Sequence, residues 1–242
     1  LFTAVGFMIL PLVGGLFMII LKDPERARAL GLVSMKAQLF TAGVADWPTF
    51  FDILLQGMAI GGSIVFALIT AWIFGREFAD HTVKELLALP TPRSAIVGAK
   101  FVLVTLWCMG LALVIFLVGL AIGAAVHIPG WSPALGWSSF AFLMITAFVT
   151  CLLMPFVALF AGVGRGYLAP LGWALLMLAL SQIVTVLGWG DRFPWSVPVL
   201  FSGMAGPRAE QIGAHSYVLV LLAFVVGVVA TFAWWQRADQ AR

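Results

Sequence analysis

The chain has 242 residues, of which 63% are hydrophobic and only 10% charged, and its mean hydropathy is +1.11. Those values exclude a soluble globular domain, so the unit of counting is the apolar run of about 20 residues that crosses about 30 Å of hydrocarbon. The net charge of +3 does not point to nucleic acid and only allows some loops to face anionic lipid.

The first apolar run, about 1–21, lacks a basic leader and a small-residue cleavage site, so it reads as a spanning helix. The chain opens on Leu1 without methionine, and residues upstream are expected to be missing. Pro11, Gly14 and Gly15 interrupt this run, which lipid tolerates only where neighbouring helices satisfy the freed carbonyls. The connection Lys22 to Asp52 carries two helix-start signals, at Asp23-Pro24 and at Asp46-Trp47-Pro48. Between them Leu30, Val33, Leu39 and Phe40 are interleaved with Arg26, Arg28, Lys36 and Gln38, predicting a short helix on the membrane surface. Trp47, Phe50 and Phe51 have the composition of an aromatic belt at re-entry.

Five further spans are expected at about 53–74, 96–126, 137–161, 167–187 and 216–235. In the second, Gly57 and Gly61 are spaced for close helix approach, and Gln56, Ser63 and Thr70 suit interhelical hydrogen bonds. His127, Pro129, Gly130, Trp131 and Pro133 end the third. The fourth carries Pro155, and the tight link 162–166 returns the chain to the fifth. The connection from Gly188 to Gly213 is rich in aromatic residues and proline around an apolar core, Val197 to Phe201. It reads as a re-entrant or interfacial turn. Cys108 and Cys151 lie in apolar runs and read as small buried hydrophobes. The expected architecture is an all-α integral membrane fold, a single transmembrane domain over residues 1–242.

Six spans put both termini on one side. Loops on that side carry Arg76, Lys84, Arg93, Lys100, Arg165, Arg237 and Arg242, against Lys22, Arg26, Arg28, Lys36, Arg192 and Arg208 opposite, so charge counting hardly sets the orientation.

The sequence contains no GxxxxGK[ST], HExxH or GxSxG motif, and His81, His127 and His215 are far apart, so neither a P-loop nor a local ligand cluster is expected. No Asp, Glu, Lys or Arg lies near the middle of an apolar run. An ion-coupled transporter needs such a group. Energy supplied from outside the membrane fits better, and no catalytic or metal-binding residue is expected in the chain itself.

The longest charged island between apolar runs is Phe74 to Lys100. Thr82 and Glu85 have capping-box spacing and open a short helix, about 82–89, closed by Pro90. Asp80 with Lys84, and Glu77 with His81, are spaced for i,i+4 pairing, and Thr91-Pro92 starts the next helix near Arg93. By physics alone this knob is either an amphipathic interfacial turn or a docking site.

The ordered set Arg76-Glu77-Phe78, Thr82, Glu85-Leu86-Leu87-Ala88-Leu89-Pro90 and Arg93-Ser94-Ala95-Ile96-Val97 with Lys100 resembles the signature of the ABC-type-2 permease family. Members of that family are membrane subunits of ATP-driven exporters, and their short helix after the second span is the coupling helix that sits in a groove of the ATPase. The resemblance implies a separate ABC ATPase partner that carries ATP and Mg, with no cofactor in this chain. It also implies a second permease chain, more readily a copy than a different one. The setting would be the bacterial plasma membrane, with both termini and the island cytoplasmic. It nominates Glu77, Asp80, Thr82, Lys84, Glu85, Leu86 and Arg93 for contact with the ATPase. For the cargo pathway it nominates Gln56, Ser63, Phe66, Thr70, Ser181, Gln182 and Thr185, residues that interhelical hydrogen bonding explains equally well. A drug, a peptide antibiotic or a lipid would suit such a lining. A lipid-modifying membrane enzyme and a non-transporting scaffold or sensor subunit are the rival classes.

Overall fold

The computed structural model describes residues 2–22, 44–83, 85, 90–204 and 212–237. The surface helix expected between Lys22 and Asp46 lies outside them, as do Lys84 and Leu86 to Leu89 of the expected coupling helix. Among the described residues the fold is helical without strands, and five helices are long and apolar enough to cross a membrane. The protein is an all-α membrane protein.

Helix α1 (Phe2–Lys22) runs through Pro11 without a break, held by its neighbours. A Cβ on Gly14 would meet the Phe50 ring at 3.2 Å, and one on Gly15 would collide with Ile122. The missing side chains therefore seat α1 against the second and third helices. At its end Lys22 Nζ donates to the carbonyls of Val126 (3.1 Å) and His127 (3.4 Å), capping the third helix with a cation where its dipole is negative.

Helix α2 (Trp47–Ala79) starts where Asp46 accepts a hydrogen bond from Thr49 N at 2.9 Å, with Pro48 in the first turn. Trp47, Phe50 and Phe51 do not form a lipid-facing belt: all three are buried, and Trp47 packs on Trp131 and Phe51 with ring centroids 4.8 and 5.2 Å away. The helix enters earlier than the hydropathy pattern indicates, so these rings serve the core. At Met58–Gly62 the helix widens into a π turn. Gly57 takes Leu10 of α1 into its missing side chain, whereas Gly61 has nothing within 4 Å. The extra residue per turn shifts the phase between them, so the expected glycine pair acts at one position only.

Helix α3 (Arg93–Ala125) is the longest unbroken one, and His127 and Gly130, both at positive φ, turn the chain back. The apolar helical stretch that follows is bent. Helix α4 (Pro133–Leu152) stops at Leu153 and α5 (Met154–Val163) resumes with Pro155 in its first turn. Thr231 of the last helix donates to the Pro155 carbonyl at 3.1 Å, so the bend is tied to that neighbour. Cys108 and Cys151 are free and buried.

Helix α6 (Leu168–Val186) leads to two single turns, Gly190–Arg192 and Pro194–Ser196, then to α7 (Val197–Phe201). Ser196 Oγ donates to the Ser181 carbonyl at 3.1 Å, and Val197 to Leu200 are buried, so the connection folds back onto α6 and α4. The last helix, α8 (Ala214–Arg237), is fastened to it by Ser216 Oγ on the Asp191 carbonyl (2.6 Å) and by His215 Nε2 on the Asp191 carboxylate (2.9 Å).

Candidate functional site

The island found in the sequence emerges between α2 and α3. The end of α2 is shaped by its own backbone: His81 N donates to Phe78 O (3.4 Å), Thr82 N to Glu77 O (2.9 Å), and His81 itself adopts φ 57°. This is the Schellman closure, in which one left-handed residue lets the chain leave the helix sharply and satisfies its last carbonyls. The position favours glycine, so His81→Gly should raise stability by about 1 kcal/mol, read as a higher unfolding midpoint in detergent. An unchanged or lower midpoint would contradict it.

Beyond this closure the chain is presented outward. Asp80, His81 and Glu85 are exposed, Thr82 is half-buried and Val83 is buried. Pro90 and Thr91 are also exposed, and α3 begins at once after Pro92, whose carbonyl accepts from Ala95 N and Ile96 N at 2.9 and 3.3 Å.

The root of the island, in contrast, is locked inside the protein. Lys100, one of the few buried polar residues, donates to the Glu77 carboxylate at 2.6 Å and to the Ile73 carbonyl at 2.5 Å. Its ammonium also lies 5.4 Å from the Phe74 ring and 5.5 Å from the Trp235 ring of α8, within range of cation–π attraction. Phe78 meets Trp235 edge-on at 5.7 Å. Arg93, two turns before Lys100 on the same helix, donates to the carbonyls of Trp235 (3.2 Å) and Gln236 (3.4 Å). A further contact involves the main chain: a Cβ on Gly75 would lie 2.9 Å from the Gly166 carbonyl oxygen and 3.3 Å from the Tyr167 ring, so α2 rests directly on the turn between α5 and α6.

The nominated contact residues thus fall into two groups. Asp80, Thr82 and Glu85 belong to the presented surface, whereas Glu77 and Arg93 spend their charges on Lys100 and on the end of α8. Lys84 and Leu86 lie outside the described residues. The lysine at the centre of the root was legible only as a basic residue near a membrane edge, since nothing in the local sequence shows its alignment with Glu77 and Trp235.

The nominated pathway residues also divide. Phe66, Thr70 and Ser181 are fully buried; the Thr70 hydroxyl donates back to Phe66 O (2.7 Å) and that of Ser181 to Leu178 O (2.7 Å), the usual resting place for a helical hydroxyl in apolar surroundings. Gln56, Ser63, Gln182 and Thr185 are partly exposed, and the Thr185 hydroxyl oxygen is buried without a partner among the described residues. A narrow apolar groove of about 130 Å³ separates α2 from α6, lined by Ser63, Ala67, Leu171, Ala174 and Leu178 among others. Among the described residues no three His, Cys, Asp or Glu side chains gather as metal ligands.

Residues 2–181 match the family model described as ABC-2 family transporter protein. The chain is also similar to the bacitracin transport permease protein BCRB of Bacillus licheniformis, 28% identical over 192 residues that cover 79% of this chain and 91% of that protein. No solved structure matches the chain. The matched region holds the whole island and its root up to Lys100, and the chain belongs to the ABC-2 family of transporter proteins, as a permease subunit.

Proposed function

We propose that this permease forms the translocation pathway of an ATP-driven exporter for an amphipathic or hydrophobic cargo, powered by a separate ATPase that docks on residues 80–92. The observation that carries the reading is the contrast within the island. Its tip presents carboxylates at Asp80 and Glu85 to solvent, while its root is held by Lys100 and Arg93 in three helices. A surface turn needs no such mounting, but a lever does. Family membership implies an ABC ATPase as the partner, and ATP and Mg would be bound there.

Closure of two ATPase subunits would push the knob as a rigid body and tilt α2 and α3, opening the interface between two copies of this chain. In this reading the island and both ends of the chain are cytoplasmic in a bacterial plasma membrane. Similarity to a bacitracin permease supports a peptide antibiotic within the cargo class, alongside drugs and lipids.

Charge reversal at the exposed tip is the test, because Glu77 is already committed to Lys100. Glu85→Arg combined with Asp80→Arg should reduce co-purification of a co-expressed partner ABC ATPase, and lower ATP hydrolysis by the reconstituted complex at least fivefold. Unchanged co-purification and unchanged hydrolysis would sink the docking surface.

A further inference from the structure

The two arms of the island close on a single side chain of the last helix. Phe78 of α2 and Lys100 of α3 both lie against Trp235, and Phe74 of α2 lies against the Lys100 ammonium. Trp235 is 0% exposed and its indole N–H has no partner among the described residues, so the ring is seated by its faces and edges alone. Arg93 completes the grip from outside, donating to the Trp235 and Gln236 carbonyls. These belong to the last turn of α8, where helix carbonyls lack intrahelical donors and a cation is favoured.

Such a grip has a mechanical property that simple packing between apolar helices lacks. Sliding α8 against α2 and α3 would withdraw the Trp235 ring from the Lys100 ammonium, and tilting α8 away would strip its terminal carbonyls of the Arg93 donor. The first displacement loses a cation–π contact, and the second leaves helix-end carbonyls without a donor in a largely apolar setting, where unpaired polar groups are costly.

We propose that Lys100 is a positioning residue for transport, keying the island to the C-terminal end of α8 so that the last helix moves with the second and third as one body. This rests on the reading of the island as the ATPase docking segment, and adds the driven element that docking alone does not name.

The test follows one distance inside the chain. Spin labels are placed at Ala79→Cys and Arg237→Cys, both exposed and flanking the grip, and a second pair at Leu168→Cys and Arg237→Cys, Leu168 being 90% exposed. The buried Cys108 and Cys151 are left in place as an unlabelled background. Pulsed distance measurements are made on the permease with its ATPase in lipid vesicles, without nucleotide and after trapping with ATP and vanadate. In the wild type the 168–237 distance should change by about 2 Å or more, while the 79–237 distance stays constant. In Glu77→Leu/Lys100→Met, which leaves no unpaired charge, the 79–237 distance should change on trapping, and Lys100→Arg should restore constancy.

A 79–237 distance that behaves alike in wild type and the double variant overturns the proposal, as does a wild type in which neither distance responds to trapping. A permease that fails to co-purify with the ATPase at all overturns the docking reading itself, a different outcome from a bound complex whose last helix moves independently.

Discussion

Glu77→Leu lowers the stability of the protein in detergent by about 3 kcal/mol, and adding Lys100→Met returns most of that loss. The expectation follows from the environment of the pair. The Lys100 and Glu77 side chains are 10% and 17% exposed, with 2.6 Å between nitrogen and oxygen. Removing the carboxylate leaves an ammonium whose remaining partners are one carbonyl and two aromatic faces, none carrying charge. Removing the ammonium as well leaves a methionine of similar length among Phe74, Phe78 and Trp235, surroundings in which a flexible thioether packs well. The reverse single change, Lys100→Met, should cost less, because the Glu77 carboxylate is the more exposed and rotates toward water more readily. Unfolding titrations of the four variants give the coupling energy directly. Additive losses would mean that the pair contributes nothing beyond two separate side chains, and the account of the island's root would fail.

At the opposite end of the bundle, Gly123→Val should cost about 3 kcal/mol, by overpacking. A Cβ at Gly123 would lie 2.6 Å from Cζ3 and 3.0 Å from Cζ2 of Trp47, closer than real atoms sit. The indole borders an open groove of about 350 Å³, but moving into it means leaving its ring contacts. It is wedged between Phe50, Phe51 and Trp131, with centroids 5.9, 5.2 and 4.8 Å away, and its backbone N–H is bound to Pro129 O at 3.1 Å. Strain therefore falls on the separation of α2 from α3. Trp47→Phe removes the second ring, so Gly123→Ala together with Trp47→Phe should lose less stability than the sum of the two changes, as measured by unfolding midpoints. Strict additivity would show that the contact is not the cause.

These two sites show what a sequence displays and what it withholds. The apolar runs, the turn residues at 127–133 and the capped start at Asp46 are local patterns, and the helices follow them closely. The island was visible for the same reason, as polar residues between long apolar stretches. Trp47, Phe50 and Phe51 were misread as a belt because aromatic residues beside a polar loop suit a membrane interface and a core alike; the Gly123 contact that decides between them lies more than 70 residues away. Lys100 was hidden in the same manner, since its partners come from two other helices and one of them is at the far end of the chain. Glu77 and Arg93 are nominated as contact residues by the family resemblance, and the structure shows their charges already engaged within the protein.

The seat of α2 on the turn between α5 and α6 has a consequence for how this protein tolerates change over its history. Where Gly75 meets the Gly166 carbonyl, main chain touches main chain, with the Tyr167 ring beside it. Across the seat a Cβ on Gly164 would collide with Ala169 and Arg165 holds φ 48°, so drift in homologous chains is confined both at position 75 and in the turn that receives it.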